Sequence, residues 1–167
     1  VDREGIIPAL DKLKEADIPM FGFDTEVADM SYLVSYAGSD NYNAGYVCGL
    51  DLIEKCPDGG PIIVLDSPTM QSVVDRTDGF LAAIEGKGFE VVSKIDCMGN
   101  QEQGNLNGTD ALIAHPDAIC IFGGNDPTAL GAYAAAEAAG SDALIYGVDG
   151  SPDVKALVAE GGITGTG

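Results

Sequence analysis

Residues 118–150 read AICIFGGNDPTALGAYAAAEAAGSDALIYGVDG, and this stretch decides the fold. Ala118–Phe122 and Leu144–Val148 are β-branched and apolar runs with no wet face, as strands require when helices cover both sides of their sheet. Between them, Asn125 or Asp126 offers a helix N-cap, Pro127 sits where its missing N–H costs nothing, and Gly140 offers a terminator. The run Ala134, Ala135, Ala136, Ala138 and Ala139 adds helix propensity and a thin face for close packing. The unit is therefore strand, helix, strand.

The same alternation extends outward. Further strand candidates are Met20–Asp24, Leu33–Tyr36, Ile62–Asp66 and Glu90–Ile95, with a last one from Ile163. Helical patterns lie at Arg3–Glu15, after Asp40, at Thr69–Lys87, at Glu102–Ala114 and at Asp153–Glu160. After Asp40 the larger apolar residues Tyr42, Tyr46, Leu50 and Ile53 recur at helical spacing, and Val73, Phe80, Leu81 and Ile84 mark the inward side of the next helix. The predicted fold class is α/β, a doubly wound and mostly parallel sheet flanked by helices. One interval breaks the rhythm: TEVADMSY (25–32) joins two strands without a helix of useful length. A crossing between two layer arrangements is expected near Gly38–Asp40, which divides the chain into 1–38 and 39–167.

Composition narrows the function. The chain has 167 residues, 46% of them hydrophobic, enough for one substantial core. With 27 acidic and 8 basic side chains its formal charge is -19, so a nucleic-acid backbone is repelled. No apolar run approaches the roughly 18 residues of a membrane span. Cys48, Cys56, Cys97 and Cys120 are scattered without a CxxC; Cys48 and Cys56, about 12 Å apart along one helix, are too distant for a disulfide, and all four read as small hydrophobes. VDREGIIPAL starts as a helix and GGITGTG stops as a strand begins, which favours a chain cut from a longer one.

Ligands of open α/β sheets bind beyond the carboxyl ends of the strands. The polar residues expected there are Asp24, Asp66 with Ser67, Asp96, Asn125 with Asp126, and Asp149, and Arg76 is the one cation near them. A carboxylate accepts two hydroxyl hydrogen bonds, a guanidinium donates in a rigid fork, and a carboxamide does both. Together they suit a neutral ligand rich in vicinal hydroxyls. The competing readings are turn or capping roles for Asp24 and Asp149 and a salt bridge for Arg76; Asn125 is favoured because Asp126 could do the capping. Catalysis is not expected: the single histidine, His115, lies in AHPD on the amino-terminal side of the sheet, and no GxSxG, Walker A or HExxH pattern occurs. Neither a cofactor nor a metal is expected.

The order IPMFGFD, GSDNYNAG, DRTDGF, AHPD, AICIFGGNDPTALGA and GVDGSPDVKALVAEGG resembles the periplasmic ribose-type sugar-binding proteins of ABC transporters over essentially the whole chain. Their fold is shared with the effector domains of LacI-type repressors, which is the alternative reading. The resemblance implies two lobes around a cleft, with residues 1–38 the last part of the amino-terminal lobe and 39–167 most of the carboxyl-terminal lobe. It implies an uptake receptor at the periplasmic or extracellular face, with a lipid anchor as one means of retention, a membrane permease as partner, and sugar contacts at Asp24, Arg76, Asn125 and Asp149. Two departures stand out. Thr25 replaces an arginine that often follows the first aspartate, and Gly99 replaces an aromatic on which a sugar ring stacks, with Asn100 and Gln101 nearby as substitute hydrogen-bonding groups.

Overall fold

The computed structural model describes residues 2–167. Helix α1 (Ile7–Glu15) precedes strands β1 (Met20–Phe23) and β2 (Leu33–Ala37), which pair in parallel as a sheet of their own. The helix begins later than the expected Arg3. Pro8 stands in its first turn and has no N–H to bond backwards, while the Asp2 carboxylate accepts from the N–H groups of Glu4 and Gly5 and folds residues 2–5 into a turn. Only a 3-10 turn at Met30–Tyr32 interrupts the connection from β1 to β2.

After Ala37 the chain enters a second sheet. Helix α2 (Asn41–Lys55) is followed by β3 (Gly60–Asp66), α3 (Gln71–Ile84), β4 (Phe89–Asp96), α4 (Gln101–Ala114), β5 (Cys120–Gly123), α5 (Asp126–Ala139), β6 (Leu144–Gly147), α6 (Pro152–Glu160) and β7 (Gly165–Thr166). The five strands are parallel in the order β4-β3-β5-β6-β7. Successive side chains of a strand point to opposite faces, and β3 feeds two cores in this way. Ile62 and Val64 join Leu52, Phe80, Ile84, Phe122 and Tyr146 beneath α2 and α3, whereas Ile63 and Leu65 join Leu112, Ala132, Ile145 and Val154 beneath α4, α5 and α6. The stacked rings of Phe80 and Phe122, 4.2 Å between centroids, anchor the first core. Both faces are covered, as the apolar strands required.

The helices pack through small residues more than the periodicity suggested. In α2 the buried face carries Gly45, Cys48, Gly49 and Leu52, while Tyr42 and Leu50 are exposed. Of the large residues at helical spacing, Tyr46 and Ile53 are half-buried, and Tyr42 and Leu50 face outward because α3 approaches too closely for them. A Cβ on Gly45 would overlap the backbone carbonyl of Arg76, and one on Gly79 would overlap that of Tyr42. The α4–α5 contact is built likewise, with Gly104 against the Thr128 backbone and Gly131 against Gln101 and Asn105. On α3, Val73, Phe80 and Ile84 are buried as expected and Leu81 is half-buried. Cys48, Cys97 and Cys120 are buried free thiols, with Cys56 half-buried; burial pushes the Cys48 thiol up to about 12.

Strand order fixes where a ligand can lie. From β3 the chain passes to β4 on one side and later returns to β5 on the other, so the direction of winding reverses between β3 and β5. In sheets of this kind the loops at such a reversal diverge, and ligands lie there, beyond the carboxyl ends of the strands.

Candidate ligand-binding site

The loop after β5 is shaped by two glycines. A side chain on Gly124 would collide with Val73, and one on Gly123 would press on the first turn of α5. This close approach directs the Gly124 carbonyl at α3, where it accepts a hydrogen bond from Nη1 of Arg76 at 3.2 Å. Arg76 is only 6% exposed, an unusual situation for a cation. Nε of the same guanidinium donates to Oδ1 of Asn41 at 2.8 Å, and Nη1 pairs with Oδ1 of Asp149 at 2.9 Å. Among the described residues Nη2 takes no protein acceptor, and it is not sealed from solvent.

Asp149 follows β6 with φ 130, a backbone conformation that side-chain-bearing residues rarely adopt. Its neighbours hold the loop. The Asp126 carboxylate accepts from Ser151 N–H at 2.6 Å and from the Thr166 hydroxyl at 2.8 Å, and the same hydroxyl oxygen accepts from Gly150 N–H at 3.0 Å. Partial burial raises the Asp149 carboxyl above its ordinary value; Arg76 opposes the shift, while Asp126 adds to it through its charge and opposes it through its backbone N–H. The Asp149 side chain is 40% exposed, so part of its carboxylate stays open beyond the pair with Arg76.

Asn125 departs from expectation. It caps α5 itself, Oδ1 accepting from Thr128 N–H at 3.0 Å, while Nδ2 donates to the Gly99 carbonyl at 3.0 Å. Asp126, expected to do that capping, is fully buried and engaged with the β6–α6 loop and β7. Asn125 therefore keeps one amide N–H for a ligand, beside the Gly124 carbonyl that Arg76 engages.

Asp24 stands apart from the other three. No hydrogen bond among the described residues joins its carboxylate to Arg76, Asn125 or Asp149. It ends β1 with φ 69, its N–H donates to the Ala37 carbonyl, and its own carbonyl accepts from the Tyr36 hydroxyl. The link to the rest runs through Thr25, whose hydroxyl lies 3.4 Å from the Asp24 carboxylate and 3.2 Å from the hydroxyl of Ser72, one turn before Arg76. Thr25, in the place of an expected arginine, thus bridges the two sheets' units, and Arg3 does the same through a hydrogen bond to Gln71.

The remaining polar candidates are structural. Asp66 is buried and accepts from Ser67 N–H and the Thr77 hydroxyl while pairing with Lys94 at 3.1 Å. The Asp96 carboxylate accepts from Met98 N–H, and Asn100 caps α4. Gly99 has φ 63, and a side chain there would strike Met70 and the Asn125 amide. An aromatic at this position is incompatible with the turn that satisfies Asn125. His115 closes α4 on the opposite side of the sheet. Asn41 was missed in the sequence, although GSDN displays it; Asp126 was expected at the strand ends, but as a cap and not as the support of the β6–α6 loop.

The whole chain, residues 1–167, matches the periplasmic binding protein domain. It is 30% identical over 167 residues to the ribose import binding protein of Escherichia coli strain K12, covering 99% of this chain and 56% of that protein. It is 32% identical over 161 residues to the D-apiose import binding protein of Actinobacillus succinogenes, covering 93% and 51% respectively. A crystal structure of an ABC transporter periplasmic solute-binding protein from Actinobacillus succinogenes 130z with bound D-allose superposes with a TM-score of 0.85 at 30% identity, covering 97% of this chain and 60% of that one. The chain thus spans about half the length of the curated relatives it matches. Across its full length, this chain belongs to the periplasmic binding protein domain family.

Proposed function

We propose that this chain forms much of a periplasmic receptor that closes on a sugar or a similar polyhydroxylated molecule and delivers it to the membrane permease of an ABC transporter. Residues 1–38 belong to one lobe and 39–167 to the other, with Asp24, Arg76, Asn125 and Asp149 as the ligand contacts. The observation that carries this reading is the ion pair between the buried Arg76 and Asp149, whose side chain is 40% exposed, beyond the carboxyl end of β6. Its two charges compensate each other, and each keeps hydrogen-bonding capacity: two N–H donors on Nη2 and the exposed part of the Asp149 carboxylate. A vicinal diol supplies an acceptor and a donor at matching spacing, and charge-assisted bonds in a closed cleft are worth about 1.5–3 kcal/mol each. The pair transfers no atom, so the role is binding without chemistry. Relatives named for import binding support uptake; none of those named here supports the repressor reading. A lipid anchor would keep such a receptor beside its permease.

The test is titration calorimetry of the intact protein against D-ribose, D-apiose, D-allose, other hexoses, polyols and furanosyl sugars. At least one member is expected to give saturable heat, and silence across the panel overturns the proposal.

A further inference from the structure

We infer that Asn41 is a positioning residue for Arg76, fixing the rotation of the guanidinium so that its Nη2 donor pair faces the ligand; the inference rests on the receptor reading only for what occupies that crevice. A guanidinium has five N–H groups in one plane, so its rotation is set by whichever edges are held. The Gly124 carbonyl and the Asp149 carboxylate hold Nη1 alone, at 3.2 Å and 2.9 Å. Contacts at that single nitrogen fix one corner of the plane only. Asn41 Oδ1 at Nε, 2.8 Å away, supplies the second edge and closes the set, leaving Nη2 as the nitrogen without a protein partner.

Burial makes this contact count. Asn41 is 8% exposed and Arg76 6%, so water does not replace a lost acceptor cheaply. The amide has one usable orientation: Nε of Arg76 can be met only by an acceptor, and on the other side Nδ2 of Asn41 faces the Ser39 carbonyl at 3.4 Å. Ser39 belongs to the segment between the two sheets, so the guanidinium is registered to the crossing as well as to its own helix. Asn41 does not cap its helix. The helix start is capped by Asp40, whose carboxylate accepts from Asn43 N–H at 2.9 Å. One turn on, Gly45 lies against the Arg76 backbone and sets the distance at which the two side chains meet.

Three proteins decide the matter: wild type, Asn41→Ala, and Asn41→Asp, which keeps an oxygen at Nε. The first readout needs no ligand. The Arg76 Nε–H resonance, identified by its loss in Arg76→Lys, is expected to exchange slowly in wild type and Asn41→Asp and at least tenfold faster in Asn41→Ala, with α2 amide protection unchanged. Equal protection of Nε–H in Asn41→Ala overturns the inference, as does loss of α2 protection in step with it, which marks a merely structural role. The second readout is affinity for whichever panel sugar binds. Asn41→Ala is expected to weaken it tenfold or more and Asn41→Asp to restore it to within about threefold of wild type; an unchanged affinity in Asn41→Ala, in a protein where Arg76→Ala abolishes binding, overturns the inference and leaves the receptor reading standing. A silent panel with the exchange pattern intact has the opposite meaning: Asn41 orients Arg76, and the receptor reading fails.

Discussion

At the scale of single residues, the candidate site pairs a buried cation with a partly exposed anion without exhausting either. Arg76 satisfies three of its five N–H groups within the protein, and Asp149 gives up one oxygen. Replacing either with Ala in the intact protein is expected to weaken sugar binding by about 2–4 kcal/mol, the range for a buried charge-assisted bond that also strands its partner; titration calorimetry reads this directly. The raised Asp149 carboxyl predicts opposite pH trends for affinity and stability. Because the folded state holds this proton more tightly than the unfolded chain, with its ordinary value of 3.8, Asp149 contributes most to stability below 3.8 and that contribution fades as pH rises through the raised value. Affinity runs the other way, since a protonated carboxyl no longer accepts a charge-assisted bond. In denaturant melts and sugar titrations across the acid range, the difference between wild type and Asp149→Asn should carry both slopes, since the other carboxylates contribute equally to the two proteins.

Elements place those residues through glycine. Helices α2 and α3 approach until backbone meets backbone at Gly45 and Gly79, and this spacing brings Asn41 to Arg76. Gly45→Ala must push the helices apart and is expected to destabilise the protein by at least about 2 kcal/mol, at the upper part of the range for overpacking, with sugar affinity falling as well. Removing a ring from the Phe80–Phe122 stack tests the same packing from the core side. Phe122→Ala should cost about 3–5 kcal/mol in a denaturant melt, and the survivors that fold should retain affinity because the crevice lies beyond the strand ends.

For the whole molecule, the dominant long-range term is charge. A formal charge of -19, with 8 basic side chains against 27 acidic ones, produces self-repulsion that salt screens. Between about 0.01 M and about 1 M NaCl the screening length falls from roughly 30 Å to 3 Å, so the melting temperature is expected to rise with salt. Affinity for a neutral sugar should barely change, because the ligand brings no charge. A sugar affinity that dropped steeply with salt would point to an ionised ligand. The exposed aromatic rings of Phe21 and Phe23 on β1 are a second molecular-scale feature, leaving that sheet apolar on a face open to solvent.

What the residues determined on their own was the order and kind of the elements and the type of chemistry at the strand ends. Continuous apolar strands such as IIVLD demand cover on both faces, and caps such as Asp40 and Gly140 are local events that a sequence displays openly. Arg76 was conspicuous because cations are scarce, and Asp149 because GVDG follows a strand. Tertiary structure alone decided which side of α2 is buried, since the choice between large residues and glycines depends on how near α3 comes. It also decided that Asn125 rather than Asp126 caps α5, because the buried Asp126 carboxylate is claimed by Ser151 and Thr166 from later in the chain. The pairing of Arg76 with Asn41 belongs to the same class: hydrogen bonds between residues far apart in sequence leave no periodicity to read, and only the closeness of two helices creates them.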